Sequence, residues 1–139
     1  MESAGLAFAD ARVAQVRIAR PTDRLDEVVA FYRDGLGFPE LTRFTNHDGY
    51  DGVMLGLPGR TYHLEFTQHA SGSPCPAPSA DNLLVLYIPD AKELAAVRAR
   101  LEKHGHAAVA PENPYWLSNS VTFEDPDGWR VVLCHAEGI

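Results

Sequence analysis

A chain of 139 residues is long enough for one domain, or two very small ones, with a core that needs neither disulfides nor a metal. Its net charge of −7 argues against a nucleic-acid partner, because proteins that bind nucleic acids usually carry a basic face. The sequence shows neither a membrane-spanning apolar run nor a signal-peptide pattern, and two cysteines are too few for a disulfide framework, so we expect a cytoplasmic protein without a membrane partner.

The first half of the chain predicts a strand, a helix and three more strands. After a tail over 1–12, residues 13–19 alternate in polarity, which is typical of a strand with one buried face. The apolar face of that strand would consist of Ala14, Val16 and Ile18. Asp23 is placed to cap a helix whose apolar residues recur at helical spacing as far as Leu36. Strand patterns then follow over 41–44, 52–57 and 62–67.

The second half repeats this order. A strand over 83–88 precedes Asp90, which with Glu93 predicts the start of a second helix, and Gly105 predicts its end. Three more strand patterns follow, over 107–110, 121–124 and 129–135. The sequence therefore predicts an α+β fold of two βαβββ modules, over 13–70 and 82–139, joined by a Pro/Ser-rich linker over 71–81.

Three motifs resemble a known superfamily. FYRDGLGF at 31–38, YHLEF at 62–66 and EDPDGWR at 124–130 resemble the vicinal oxygen chelate superfamily of glyoxalases, bleomycin resistance proteins and extradiol dioxygenases. A narrower resemblance, to the YycE-like bacterial branch, is carried by RIARPT at 17–22, GYDGV at 49–53 and ENPYW at 112–116. The superfamily resemblance implies curved mixed sheets around a cleft, a small-molecule ligand in that cleft, and a homodimer.

The resemblance also implies four metal-ligand positions, one on each of four strands. Carried onto this sequence, they are Arg17, Glu65, Leu83 and Val132. Only Glu65 is a residue type that binds divalent metals, and the guanidinium of Arg17 opposes a cation. We therefore expect that no cofactor is bound and that the usual metal site is lost.

A rearranged metal site is the alternative. His63 and Glu65 lie two residues apart on a strand and therefore share a face, so they could supply two ligands. A third ligand would have to come from another histidine. The candidates are His47, His69, His104, His106 and His135. With such a site the protein would be a metal-dependent lyase, isomerase or dioxygenase in which Glu65 and His63 are the catalytic candidates.

Several residues are candidates for contact with an organic ligand. Arg17 and Glu65 either pair in place of a metal, or lie separately at the rim and in solvent. Tyr87 and Arg130 would add a phenol and a cation to a mostly apolar wall in the second module. Tyr115 and Trp116 belong to an aromatic loop that either covers the cleft mouth or plugs the end of a sheet. The full candidate set is Arg17, His63, Glu65, Tyr87, Tyr115, Trp116 and Arg130.

Three functions are open at this point. The first is a metal-free protein that binds a small organic molecule, for sequestration or resistance. The second is the metal-dependent enzyme with the rearranged site. The third is a dimeric structural module without a ligand. Metal analysis separates the second from the others, and a ligand-dependent rise in melting temperature separates the first from the third.

Overall fold

Two four-stranded mixed sheets make up the protein in a computed structural model that describes residue 5 and residues 7–139. The first module contains β1 (Val16–Pro21), α1 (Leu25–Val29), β2 (Glu40–His47), β3 (Tyr50–Leu55) and β4 (Tyr62–His69). The second contains β5 (Leu83–Tyr87), α2 (Ala91–Lys103), β6 (Ala108–Val109), β7 (Ser120–Glu124) and β8 (Arg130–Cys134). Within the described residues, no helix is both long and apolar enough to cross a membrane.

The predicted α+β fold of two repeated halves is confirmed. The strand orders are β1-β4-β3-β2 and β5-β8-β7-β6, so each module places its first strand at an edge, parallel to its last strand. The predicted strands differ from the observed ones mainly at their ends. Of the predicted tail, residues 1–4 and 6 lie outside the described part, and Phe8–Asp10 form one exposed 3-10 turn.

The first helix begins without the predicted Asp23 cap. The backbone N–H of Arg24 donates to Thr22 Oγ1 at 2.9 Å, and that of Leu25 donates to the side chain of Gln68 at 3.0 Å. The Asp23 carboxylate instead accepts from the backbone N–H of Ser73 in the linker, which is why it is not available to the helix. The helix continues beyond α1 as a π-helical segment, Ala30–Gly35. The predicted cap at Asp90 is present, since its side chain accepts from Lys92 and Glu93.

The expected buried face of β1 is wrong. Val16 is 47% exposed and Ile18 is 48% exposed. The reason lies in topology: β1 is an edge strand, and Ile18 lines a cavity between the first module and β5. Periodicity identified the apolar face correctly but could not show what covers it.

A shared core joins the modules. Helix side chains and sheet side chains from both halves are buried together, with α2 contributing Leu101. The fully buried large side chains include Phe31, Leu55, Phe123 and Leu133. Phe31 lies at the junction of the modules, because its ring meets the His106 ring edge-on at a centroid distance of 4.7 Å.

A buried polar network also ties the modules together. Arg20 of β1 donates at 2.7 Å to Asp125 and at 2.7 Å to Asp127, both in the hairpin that precedes β8. Its guanidinium lies over the rings of Phe66 and Trp129, at 5.1 and 5.3 Å from their centroids. The side chain of Arg20 is 11% exposed and that of Asp125 is fully buried, so both charges depend on each other.

The protonation of this network reflects its burial. Burial raises the pKa of Asp125, although the Tyr32 hydroxyl, which donates to it at 2.7 Å, and the charge of Arg20 oppose that rise. Burial likewise raises the pKa of Tyr32 well above its usual value. For Arg20, burial lowers the pKa, but the hydrogen bond to Asp127 and the charge of Asp125 outweigh it and leave the pKa raised. In this network one cation, Arg20, therefore pairs with two acidic side chains, Asp125 and Asp127.

We expect acidification to weaken the contact between Phe31 and His106. Burial, with a smaller effect from the charge of His104, lowers the pKa of His106. The unfolded state then binds the proton more tightly than the folded state does. The contribution of neutral His106 to the free energy of unfolding is therefore complete above the ordinary histidine pKa, and it is lost as pH falls through the lowered pKa of the folded state. Between pH 7.5 and 5, the free energy of unfolding in urea should fall less steeply in His106→Gln than in wild type. His47→Gln, altered at a 79% exposed side chain, is the control, and equal slopes in all three proteins would contradict the prediction.

Candidate functional site

The open face of the first sheet, which points away from α1, carries the candidate site. Side chains alternate across a strand, so Arg17 of β1, His63 and Glu65 of β4, and Met54 of β3 all project from this face. The register places Arg17 beside His63, and Glu65 directly opposite Met54. The same strands turn Leu64 and Phe66 into the core on the other side. The topology thus gathers polar groups at the centre of one sheet.

Arg17 is oriented by His63 and remains open to solvent. Its Nε donates to His63 Nε2 at 2.9 Å, and its Nη2 lies 3.4 Å from the sulfur of Met54. Its Nη1 lies 3.6 Å from Glu65 Oε2, which is an ion pair but too long for a good hydrogen bond. The side chain is 46% exposed. The terminal nitrogens therefore keep hydrogen-bonding capacity directed at the open face.

Glu65 is recessed and weakly paired. Its side chain is only 14% exposed, yet no hydrogen bond from any described residue reaches its carboxylate. The guanidinium of Arg17, at 3.6 Å, is its ion-pair partner. A carboxylate withdrawn this far from water normally accepts hydrogen bonds, so this one has unused acceptor capacity.

His63 lies beneath the pair and positions it. The side chain is buried, with 5% of the residue exposed. Arg17 can only donate, so Nε2 of His63 accepts and the imidazole is neutral, with its proton on Nδ1. Nδ1 is itself buried and meets no hydrogen-bond partner among the described residues. His63 thus fixes the direction of the Arg17 side chain.

The donors on this face do not fit a divalent metal. The Nε2 lone pair of His63 is engaged by Arg17, and a guanidinium lies 3.6 Å from the Glu65 carboxylate. Across residues 5 and 7–139, no three His, Cys, Asp or Glu side chains come close enough to hold a metal ion. None of the other five histidines joins Glu65 and His63. His69 packs on Tyr50, and His106 packs on Phe31. His47 lies beside Asp48, His104 follows the end of α2, and His135 contacts the carbonyl of Pro89.

An aromatic ring lies on the same face, and sequence reasoning missed it. Gly52 of β3 has no side chain, and the ring of Phe44 from β2 occupies that space, because any Cβ at Gly52 would overlap the ring. Gly52 is two residues from Met54, so the ring lies about 7 Å along β3 from Met54, which is opposite Glu65. A glycine within an apolar strand pattern was the available signal, since it often marks close approach of another group.

The remaining predicted ligand residues do not join this cluster. Tyr87, 43% exposed, lines a cavity of about 640 Å³ between the modules, together with Ile18 and Tyr62. Arg130 lines a second cavity of about 480 Å³ and pairs with Glu124 at 3.1 Å. Both cavities involve the face of the first sheet that bears Leu64, opposite to the face with Arg17 and Glu65.

The aromatic loop of the second module forms a short 3-10 helix, Pro114–Leu117. Asn113 caps it by accepting from the backbone N–H of Tyr115. The Tyr115 ring meets the Trp116 ring edge-on at 4.9 Å, and Tyr115 is 74% exposed. The carbonyl of Trp116 accepts from Ser120 at the start of β7, which fixes this loop to the end of the second sheet.

We expect Arg17→Met to change stability only slightly. The ion pair with Glu65 is long and its arginine is 46% exposed, so its removal should cost about 0–1 kcal/mol in the free energy of unfolding. Methionine keeps most of the aliphatic packing of the arginine stem. Urea denaturation at pH 7.5 measures the change. A loss of about 3 kcal/mol or more, the range for a broken buried pair, would show that the pair is enclosed.

Comparison with known proteins places this geometry in a family. The model of the YycE-like N-terminal domain matches residues 16–67, and that of the YycE-like C-terminal domain matches residues 81–135. Protein YycE of Bacillus subtilis (strain 168) is 52% identical over 135 residues, covering 97% of each chain. A crystal structure of a YycE protein of unknown function from Bacillus subtilis superposes with a TM-score of 0.88 and 52% identity, over 95% of this chain and 96% of that one.

More distant solved structures share the fold. The trypanothione-dependent glyoxalase I of Leishmania major has a TM-score of 0.66 at 23% identity, over 89% of this chain and 86% of its own. The antibiotic-binding protein TnmS3 of Streptomyces sp. CB03234 has a TM-score of 0.63 at 23% identity, over 92% of this chain and 98% of its own. With both domain models matched in order along one chain, this protein belongs to the YycE-like family and has the glyoxalase/bleomycin-resistance fold.

Proposed function

We propose that this protein binds a small organic molecule on the open face of its first sheet, without a metal, and so sequesters it or confers resistance to it. The observation that carries the proposal is the guanidinium of Arg17, which lies 3.6 Å from the recessed carboxylate of Glu65, at a position where the superfamily resemblance implies a metal ligand. A ring and a thioether, from Phe44 and Met54, extend that polar centre into a surface suited to an organic ligand. Antibiotic binding by TnmS3, which has the same fold, supports the class of function.

A ligand screen by thermal unfolding tests the proposal. Purified protein is heated with each member of a library of small organic molecules that includes fosfomycin and bleomycin. A binder that recognises only the native state raises the melting temperature with increasing concentration. We expect at least one such compound, with its effect weakened in Glu65→Gln. A library without any binder to the open face would contradict the proposal.

The alternative is a metal-dependent lyase, isomerase or dioxygenase that uses Glu65 and His63. Both residues lie on the open face, but the bond from Arg17 to His63 disfavours it. Elemental analysis of protein purified without chelators decides between the two. We expect far less than one metal ion per chain and no change in melting temperature with EDTA. Stoichiometric metal that is lost in Glu65→Gln would establish the alternative.

We propose that two copies form a homodimer. β1 and β5 are edge strands, and apolar side chains beside them are nearly half exposed: Val16 47%, Ile18 48%, Tyr62 46% and Tyr87 43%. Unpaired edges with apolar neighbours favour association. A twofold axis would let the two copies cover these apolar side chains for each other and close the assembly.

Sedimentation at micromolar concentration measures the assembly. We expect about twice the 15.2 kDa of the chain, and a shift to the monomer in Ile18→Glu. Wild-type protein at the monomer mass would contradict the dimer.

We also propose a cytoplasmic location, because Cys75 and Cys134 are unpaired, as is usual in a reducing compartment. Cell fractionation checks the location.

A further inference from the structure

The open face offers unused hydrogen-bonding capacity of both kinds, side by side. Arg17 has terminal N–H groups whose near neighbours are a thioether sulfur and a carboxylate 3.6 Å away. Glu65 has a carboxylate that is 14% exposed and accepts no hydrogen bond from any described residue. His63 holds Arg17 in place through Nε, so the terminal nitrogens are already directed. A ligand here meets a donor and an acceptor a few ångströms apart.

Charge selects among the possible ligands. A lone anion would gain Arg17 but face the carboxylate of Glu65 next to it, and a lone cation would gain Glu65 but face the guanidinium. A group that presents an acceptor beside a donor satisfies both without net charge. A carboxamide does this with its carbonyl oxygen on Arg17 and its N–H on Glu65.

The rest of the face indicates what the carboxamide is attached to. The ring of Phe44 lies over Gly52, about 7 Å along β3 from Met54, and Met54 lies opposite Glu65 on the neighbouring strand. Flat rings stack on such an aromatic surface, and a thioether adapts to their edges. The separation corresponds to a ring joined directly to the polar group.

We propose that the open face recognises carboxamides attached to a planar ring, with the carbonyl bound by Arg17, the N–H by Glu65 and the ring by Phe44 and Met54. This proposal rests on the proposed function, because it names the ligand class of the same site. Neither residue needs to change protonation for the ligand to bind. His63 is a positioning residue, since it acts through Arg17.

Three matched probes test the ligand class: benzamide, benzoate and benzylammonium. They share the ring and differ in offering donor and acceptor, acceptor alone, or donor alone. The chain has two methionines, so [13C-methyl]methionine labelling gives few signals, and Met54→Leu identifies the Met54 signal beside Arg17. Fragments of this size bind in roughly the millimolar range, which NMR titration measures.

We expect benzamide to move the Met54 signal with an affinity at least about fivefold greater than either charged probe, a difference of about 1 kcal/mol. Arg17→Met and Glu65→Leu should each weaken benzamide by a similar factor, because each removes one hydrogen-bonding partner. In Glu65→Gln, which keeps an acceptor oxygen, benzoate should bind more tightly than to wild type, because the like charge is gone. All three variants are expected to fold, which the unfolding curve of each verifies.

The outcomes separate this proposal from the proposed function. If benzoate or benzylammonium moves the Met54 signal at lower concentration than benzamide, the face binds organic molecules but the carboxamide assignment is overturned. If no probe moves that signal and the thermal screen finds no binder, both proposals fail. If benzamide binds equally well to wild type and Glu65→Leu, Glu65 is not the acceptor and the proposal is overturned.

Discussion

Arg20→Met is expected to destabilise the protein by about 3–5 kcal/mol at neutral pH. The substitution keeps much of the aliphatic stem between Phe66 and Trp129 but removes the charge that pairs at 2.7 Å with both Asp125 and Asp127. Asp125 is fully buried, so its carboxylate would remain without a cation. Urea denaturation followed by intrinsic fluorescence measures the loss.

Two comparisons make this result specific. Arg33 also pairs with two carboxylates, but its side chain is 39% exposed, so Arg33→Met should cost only about 0–1 kcal/mol. Acidification should reduce the deficit of Arg20→Met, because losing the arginine raises the folded pKa of Asp125 further above its unfolded value. Stability tied to that carboxylate is then present at low pH and is lost as pH rises through the folded pKa. Equal effects of the two substitutions would show that the network does not hold the modules.

The repeated fold could be predicted because its signals are local. Alternation, helical spacing and the Asp90 cap act within a few residues, and the structure has the corresponding elements. The predicted cap at Asp23 is absent, and the Asp23 carboxylate instead accepts from the backbone N–H of Ser73, fifty residues later. The predicted burial of Val16 and Ile18 is wrong for a similar reason, because distant segments decide what covers an edge strand.

The candidate site, too, could be predicted only where its signals are local. Alternation correctly sets His63 and Glu65 on one face of β4, and the parallel pairing with β1 brings Arg17 beside them. Phe44 escapes prediction because β2 shifts register against β3 between Phe44 and His47, and such an irregularity has no reliable signature in one sequence. The link from Arg20 to Asp125 spans 105 residues and has no local pattern either.

Two arginines on one strand thus serve different ends. Arg17 and Arg20 are three residues apart and project from opposite faces of β1. Arg20 is nearly buried and pairs tightly with the second module, so its substitution tests the architecture. Arg17 is half exposed and loosely paired, so its substitution leaves the fold intact and tests binding. Measuring both variants in both assays separates the site from the scaffold.

Phe31→Ala is the second substitution expected to have a large effect, about 3–5 kcal/mol. Phe31 is fully buried in the π-helical segment, where its ring meets Tyr32 at 4.9 Å and His106 of the second module at 4.7 Å. Truncation leaves a cavity at the junction of the modules that the rigid neighbours fill only partly. Phe8→Ala removes the same atoms from a side chain that is 77% exposed, so it should change stability by less than about 0.5 kcal/mol. Chemical denaturation of both variants gives the comparison, and a loss below about 1 kcal/mol for Phe31→Ala would mean that the junction is not close-packed around this ring.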